Sequence, residues 1–325
     1  MKLNTSPVTQ HIFKNHSFYL KRDEQLHQHF SGNKARKFMR LLQEDYPGVD
    51  TLIGYGSIQA NSLYSLAALC KIKKWKFEFY VHRIPQWLKD NPRGNYRGAL
   101  DLGANIIECN SAEYDVLKEN DLEGNLVKEN AAEGNEQSIE PSHYIQHIRK
   151  PGANCLVIPE GGRSTLAEKG VQGLATEILD WTRYKPTKKF AIALPSGTGT
   201  TALYLHKHLK PHNIEVLTCA CVGGDTYLRE QWQELGMSDG PNILSCDYKH
   251  HFGKLYQQEY DVWQKLEKNT NVEFDLLYDP YMWNCLLPWM DNNPDVTVLY
   301  IHQGGILGNE TMLPRYQRKF ESVSS

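Results

Sequence analysis

The chain has 325 residues, of which 40% are hydrophobic and 23% charged, with a formal net charge of −2. That length exceeds what one hydrophobic core ordinarily serves, so two domains are expected. The near-neutral charge offers no field for nucleic acid or an anionic membrane. No uncharged apolar run is long enough for a transmembrane helix, and the opening MKLNTSPVTQHIF lacks the apolar stretch of a secretory signal.

Short apolar runs alternate with helical patterns. Strands are expected at 51–53, 76–82, 154–158, 190–194, 215–221 and 297–302. A helix is expected at 34–44, where Phe38, Leu41 and Leu42 share a face, and others after Asn61, Gly173 and Thr200. This alternation predicts an α/β fold of mainly parallel sheets flanked by helices, with ligands beyond the carboxyl ends of the strands. The stretch 118–140, rich in Glu, Asn and Gly, reads as a solvated surface segment. The seven cysteines are odd in number and form no CxxC pair, which predicts reduced thiols in a cytoplasmic protein. Cys219 and Cys221 share one strand face. No His or Cys stands at ligand spacing from them, so no metal is expected.

Three segments carry candidate chemistry. In Phe30-Ser31-Gly32-Asn33-Lys34-Ala35-Arg36-Lys37, Lys34 starts a helix, and the helix dipole with Arg36 and Lys37 should lower its amine pKa. A neutral amine is a nucleophile suited to a Schiff base; the alternative is a basic first turn facing water. In Gly54-Tyr55-Gly56-Ser57-Ile58-Gln59-Ala60-Asn61-Ser62, a strand gives way to a helix. Ser57, Gln59 and Asn61 there suit a substrate carboxylate, the alternative being simple capping by Asn61 or Ser62. In Ser196-Gly197-Thr198-Gly199-Thr200-Thr201, a glycine-rich turn follows a strand and opens a helix, aiming amides at a phosphate. It is neither a Walker loop nor GxGxxG, so a small phosphate monoester fits better than a nucleotide; an ordinary turn is the alternative.

These segments, in this order, resemble the 1-aminocyclopropane-1-carboxylate deaminase/D-cysteine desulfhydrase family. The resemblance extends to Leu20-Lys21-Arg22-Asp23-Glu24, Asn95 with Gly103-Ala104, Ile158-Pro159-Glu160-Gly161-Gly162, Asp279-Pro280 and His302-Gln303-Gly304-Gly305. It implies a two-domain fold type II pyridoxal-phosphate enzyme, tryptophan synthase β-like. The larger, cofactor-binding domain would comprise 1–37 plus 149–325, and the smaller α/β domain 38–148. It further implies pyridoxal 5'-phosphate on Lys34, with Asn61 at its phenolic oxygen and Ser196, Gly197, Thr198, Gly199 and Thr200 around its phosphate. A homodimer acting on a small amino acid is also expected.

Three positions depart from the family pattern. Ala60 replaces a serine, Phe252 stands where a tyrosine is expected with Tyr256 nearby, and Trp283 replaces a Glu or Thr facing the pyridine nitrogen, with Tyr281 as the substitute catalytic tyrosine. The implied activity is a D-cysteine desulfhydrase-like β-elimination giving keto acid and ammonia. The alternatives are 1-aminocyclopropane-1-carboxylate deamination, a pyridoxal-phosphate-binding protein with little catalysis, and a sugar-phosphate or nucleotide binder.

Overall fold

The structure, a computed structural model, describes residue 3 and residues 5–30, 32–109, 140–185 and 189–321. Most of the polar stretch 118–140 lies outside the described residues. In chain order the strands are β1 (Val8–Phe13), β2 (His16–Arg22), β3 (Thr51–Tyr55), β4 (Lys76–Val81), β5 (Asn105–Glu108), β6 (Cys155–Ile158), β7 (Phe190–Ala193), β8 (Glu215–Thr218), β9 (Asn242–Ile243) and β10 (Thr297–His302). They form a six-stranded sheet ordered β1-β2-β10-β7-β8-β9 and a four-stranded sheet ordered β5-β4-β3-β6.

Every pairing is parallel except the β1–β2 hairpin. Nothing in the amino-acid pattern announces that hairpin. Its turn is Lys14-Asn15, both at positive φ, and it lacks the glycine that usually announces such a turn. In β10, Val298 and Tyr300 belong to one buried cluster and Leu299 and Ile301 to another. The period-2 alternation thus buries both faces of the sheet, as parallel sheets require.

The chain divides into two compact units, Met1–Asp45 with Gly161–Ser325, and Tyr46–Glu160. These bounds fall later than 38 and 148 for identifiable reasons. The helix Met39–Gln43 packs on the helix Glu168–Arg183 of the first unit, and β6 pairs with β3 in the second. The helix expected at 34–44 is two, Gly32–Lys37 and Met39–Gln43, broken at buried Phe38 where ψ is 8°. The helix expected after Gly173 already begins at Glu168; glycines at 170 and 173 lower the local helix propensity and mask its first turn.

The helix Gly32–Lys37 is anchored by a buried ionic cluster. The Arg36 guanidinium donates to Asp23 (Nε to Oδ2 3.0 Å, Nη2 to Oδ1 2.8 Å) and to Glu177 (Nη1 to Oε1 2.6 Å, Nη2 to Oε2 2.9 Å). Lys21 donates to Glu177 Oε2 at 2.6 Å. Asp23 is fully buried, and Arg36 and Lys21 are 3% exposed. Removing one partner of a buried pair strands the other charge in a low dielectric. Arg36→Met should therefore destabilise the first unit by about 3–5 kcal/mol in equilibrium urea unfolding. A change below about 1 kcal/mol would show that water reaches Asp23.

Candidate functional site

In the first unit, Gly32 has φ +63°, and a Cβ built there would lie 1.9 Å from the Gln303 carbonyl oxygen. Only glycine permits this close approach. Asn33 donates its backbone N–H to Gln303 O at 3.0 Å and its Nδ2 to Gln303 Oε1 at 2.9 Å. Gln303 in turn donates Nε2 to Pro195 O at 2.6 Å. The segment bearing Lys34 is thus tied through Gln303 to the residue preceding Ser196.

Lys34 is half-buried. Desolvation lowers its amine to about 8, against the opposing pull of Asp275. Burial, and not the flanking Arg36, is the leading cause; the Arg36 charge faces Asp23 and Glu177. The reading of this segment as a solvated basic turn does not hold, since Arg36 and Lys37 are both buried. Lys37 donates to Gly161 O at 2.6 Å, and burial first, then the Lys34 charge, holds its amine well below the ordinary lysine range. A Cβ on Gly161 would lie 2.9 Å from Thr198 Cγ2, so a buried lysine stands beside the glycine loop. Nothing in the local sequence sets Lys37 apart from Arg36 beside it.

The loop Ser196–Gly199 connects β7 to the helix Thr200–Leu209. Ser196 Oγ lies 2.7 Å from Thr218 Oγ1, which donates to Leu194 O at 2.8 Å. With its one proton so used, Thr218 accepts from Ser196, and the Ser196 hydroxyl anchors the loop from below. Thr198 and Thr200 pair through their hydroxyls at 3.0 Å. Gly199 has φ +68°, and a Cβ there would meet Leu228 Cδ1 at 2.4 Å and Trp232 Nε1 at 2.5 Å. Trp232 Nε1 and Thr201 Oγ1 are buried without a hydrogen-bond partner among the described residues. A glycine cradle, a helix N-terminus, unpaired donors and a buried lysine together fit a phosphate monoester. The Tyr278 ring, not singled out from sequence, lies 3.6 Å from the position of a Gly197 Cβ.

In the second unit, the helix Asn61–Lys73 is preceded by Ala60 as N-cap, with no side-chain cap bond, so Asn61 is not a capping residue. Asn95 Nδ2 donates to Asn61 Oδ1 at 2.7 Å, leaving Asn61 to offer its Nδ2 protons. Gln59 is engaged at both ends of its amide, donating to Arg93 O at 3.1 Å and accepting from Asn95 N at 3.1 Å. Its structural work is to hold Asn95. Ser57 is exposed.

Of the departures, Trp283 is fully buried in the core, stacked on Tyr300 (4.9 Å) and edge-on to Phe18 (4.7 Å). Phe252 is 43% exposed and packs on Tyr278 at 5.2 Å. Tyr256 Oη is occupied by the backbone of its own loop, donating to Lys249 O and accepting from His251 N. Tyr281 stacks on His250 at 4.1 Å, and its backbone carbonyl accepts from Cys246 Sγ at 4.0 Å.

No family model matches the chain. A putative 1-aminocyclopropane-1-carboxylate deaminase of Thermotoga maritima is 24% identical over 307 residues, covering 90% of this chain and 89% of the relative. A mitochondrial bifunctional D-cysteine desulfhydrase/1-aminocyclopropane-1-carboxylate deaminase of Arabidopsis thaliana is 25% identical over 308 residues, covering 89% and 72%. The chain is a relative of these deaminases and desulfhydrases. Among solved structures, a 1-aminocyclopropane-1-carboxylate deaminase homologue superimposes with a TM-score of 0.71 at 18% identity, over 96% of this chain and 93% of that one. A pyridoxal 5'-phosphate-dependent aspartate racemase superimposes with a TM-score of 0.61 at 12% identity, over 93% and 91%. The fold is that of the fold type II pyridoxal-phosphate enzymes. Among the described residues no helix is long and apolar enough to cross a membrane.

The cradle can be tested by its two glycines. Gly199→Ala meets a left-handed backbone and a contact far inside van der Waals range, and should destabilise the chain by about 1–3 kcal/mol. Gly197→Ala meets only ordinary contact with Tyr278 and should stay within about 0.5 kcal/mol. Equal effects of the two in thermal unfolding would contradict this reading of the loop.

Proposed function

We propose that the protein is a pyridoxal-phosphate-dependent lyase that eliminates the β-substituent of a small, D-cysteine-like amino acid, releasing keto acid and ammonia. The observation that carries this reading is the coexistence, in one unit, of a desolvated lysine amine and a glycine cradle with buried unpaired donors. The larger unit is assigned to the cofactor. Lys34 Nζ would form the reversible link, while the amides of Gly197 to Thr200, the Thr198 and Thr200 hydroxyls and the Lys37 ammonium would hold the phosphate. Ser196 contributes by fixing the loop. Asn61 Nδ2 is assigned to the phenolic oxygen, and Ser57 with the amides of its loop to the substrate carboxylate, Gln59 acting through Asn95.

The cofactor, when bound, supplies an electron sink for charge developing at the amino-acid α-carbon. Lys34 supplies the proton acceptor. With its pKa near 8, about a tenth of the amine is neutral at pH 7, against about one in a few thousand for an ordinary lysine. Asp275 steadies the ammonium once Nζ has taken the α-proton. A thiolate then leaves the β-carbon, and water supplies the oxygen of the keto acid. Tyr281, stacked on His250, is assigned a positioning role. The seven free thiols suit a reducing, cytoplasmic setting, and a homodimer is carried by the family resemblance.

Ring opening of 1-aminocyclopropane-1-carboxylate needs polar help that Ala60 and Phe252 do not offer, and each acid–base group ordinarily contributes about 10²–10⁴-fold. Keto acid release should therefore be faster from D-cysteine than from the cyclopropane under the same conditions. Faster release from the cyclopropane would overturn the substrate assignment. Absence of keto acid from both, with a visible band that shifts on adding amino acid, would favour a binder with little catalysis.

A further inference from the structure

Four cysteines that the proposed elimination does not use gather beneath the glycine loop. Ser196 pairs with this strand end on both sides, donating to Cys219 O at 3.1 Å and accepting from Cys221 N at 3.0 Å. The Sγ atoms of Cys219 and Cys221 are 3.5 Å apart, and those of Cys246 and Cys285 only 2.9 Å. The latter distance is about 0.9 Å beyond a covalent disulfide, between residues 39 apart in sequence. Among the described residues no group of three or more His, Cys, Asp or Glu is placed to hold a metal, so sulfur–sulfur chemistry is the reading that fits this contact.

The two thiols are unlike. Cys285 is buried in the core cluster, while Cys246 is partly exposed at its margin. Hydrogen bonds from Cys219 and Cys246, against the opposing effect of burial, and then from Tyr281, lower Cys285 to about 5, with the His250 charge acting in the same sense. The shared proton then resides on Cys246, whose thiol is pushed up by its bond to Cys285 and by burial. His250 is oriented by Glu259, Nδ1 to Oε1 2.9 Å, while its Nε2 is buried without a partner among the described residues.

We propose that Cys246 and Cys285 form a peroxide-responsive dithiol that closes to a reversible disulfide. The Cys285 thiolate attacks one oxygen of hydrogen peroxide, the O–O bond breaks, and the sulfenic acid forms with release of hydroxide, which is protonated to water. Cys246 gives up its thiol proton and attacks Cys285 Sγ, expelling the second oxygen, which leaves as water. In sum two thiols and one peroxide give one disulfide and two waters, each sulfur losing one electron. A dithiol reductant reverses it. Closure removes the Cys246 thiol proton directed at Tyr281 O (4.0 Å), so the switch acts beside a residue to which the proposed function gives a role.

The test uses the full-length protein and reads mass and thiol count, so it does not depend on the elimination. Mild hydrogen peroxide should lower the thiols titrated in denaturant from seven to five and remove two hydrogens from the intact mass. Tryptic peptides containing Cys246 and Cys285, which separate at Lys249, Lys254, Lys265 and Lys268, should appear joined and should part on adding dithiothreitol. C246S should form no crosslink. Seven surviving thiols, a crosslink confined to Cys219 and Cys221, or oxidation of Cys285 to sulfinic acid without a crosslink would each overturn the proposal.

Discussion

The position of Lys34 depends on a guanidinium two residues away. On a helix, residues i and i+2 are turned by roughly 200°, and i and i+3 by roughly 300°. Arg36, locked between Asp23 and Glu177, therefore fixes the buried face of the helix Gly32–Lys37 and sends Lys34 to the opposite one, with Lys37 beside it. Burying these charges is costly in itself, and such clusters contribute more to register than to net stability. Here the register brings Lys37 to Gly161 O, beside the loop. A helix of six residues has little intrinsic stability, so the ionic cluster and the Gly32–Gln303 contact hold it in place.

With that helix fixed, the electrostatics of the first unit follow from burial. Lys34 and Lys37 face one another's charge in a desolvated setting, which disfavours protonating both. A phosphate bound as proposed would relieve that repulsion at Lys37, while Asp275 tempers it at Lys34. The neighbouring cysteine cluster is joined to the same loop at Cys219 and Cys221, through the backbone bonds of Ser196.

Much of this was legible in the residues. The six expected strands correspond to β3, β4, β6, β7, β8 and β10 because their apolar runs are bounded by turn residues. The glycine loop was readable because strand, glycines and helix follow one another without interruption. The β1–β2 hairpin was hidden by its Lys14-Asn15 turn, and the break at Phe38 by a periodicity that runs through it. The roles of Lys37, Tyr278 and Asp275 arise from contacts across long sequence separations, for which the chain carries no local signal. Trp283 shows the converse error. A motif position pointed to the cofactor, and packing against Phe18 and Tyr300 placed the side chain in the core.

Lys34 is proposed as the residue that bears the cofactor. Borohydride reduction of the protein loaded with pyridoxal phosphate, followed by peptide mapping, tests it most directly. A pyridoxyl group is expected on Lys34 alone, lost in Lys34→Ala while Lys37→Ala still carries it at position 34. A pyridoxyl group on Lys37, or on an exposed lysine with Lys34 unmodified, would contradict it.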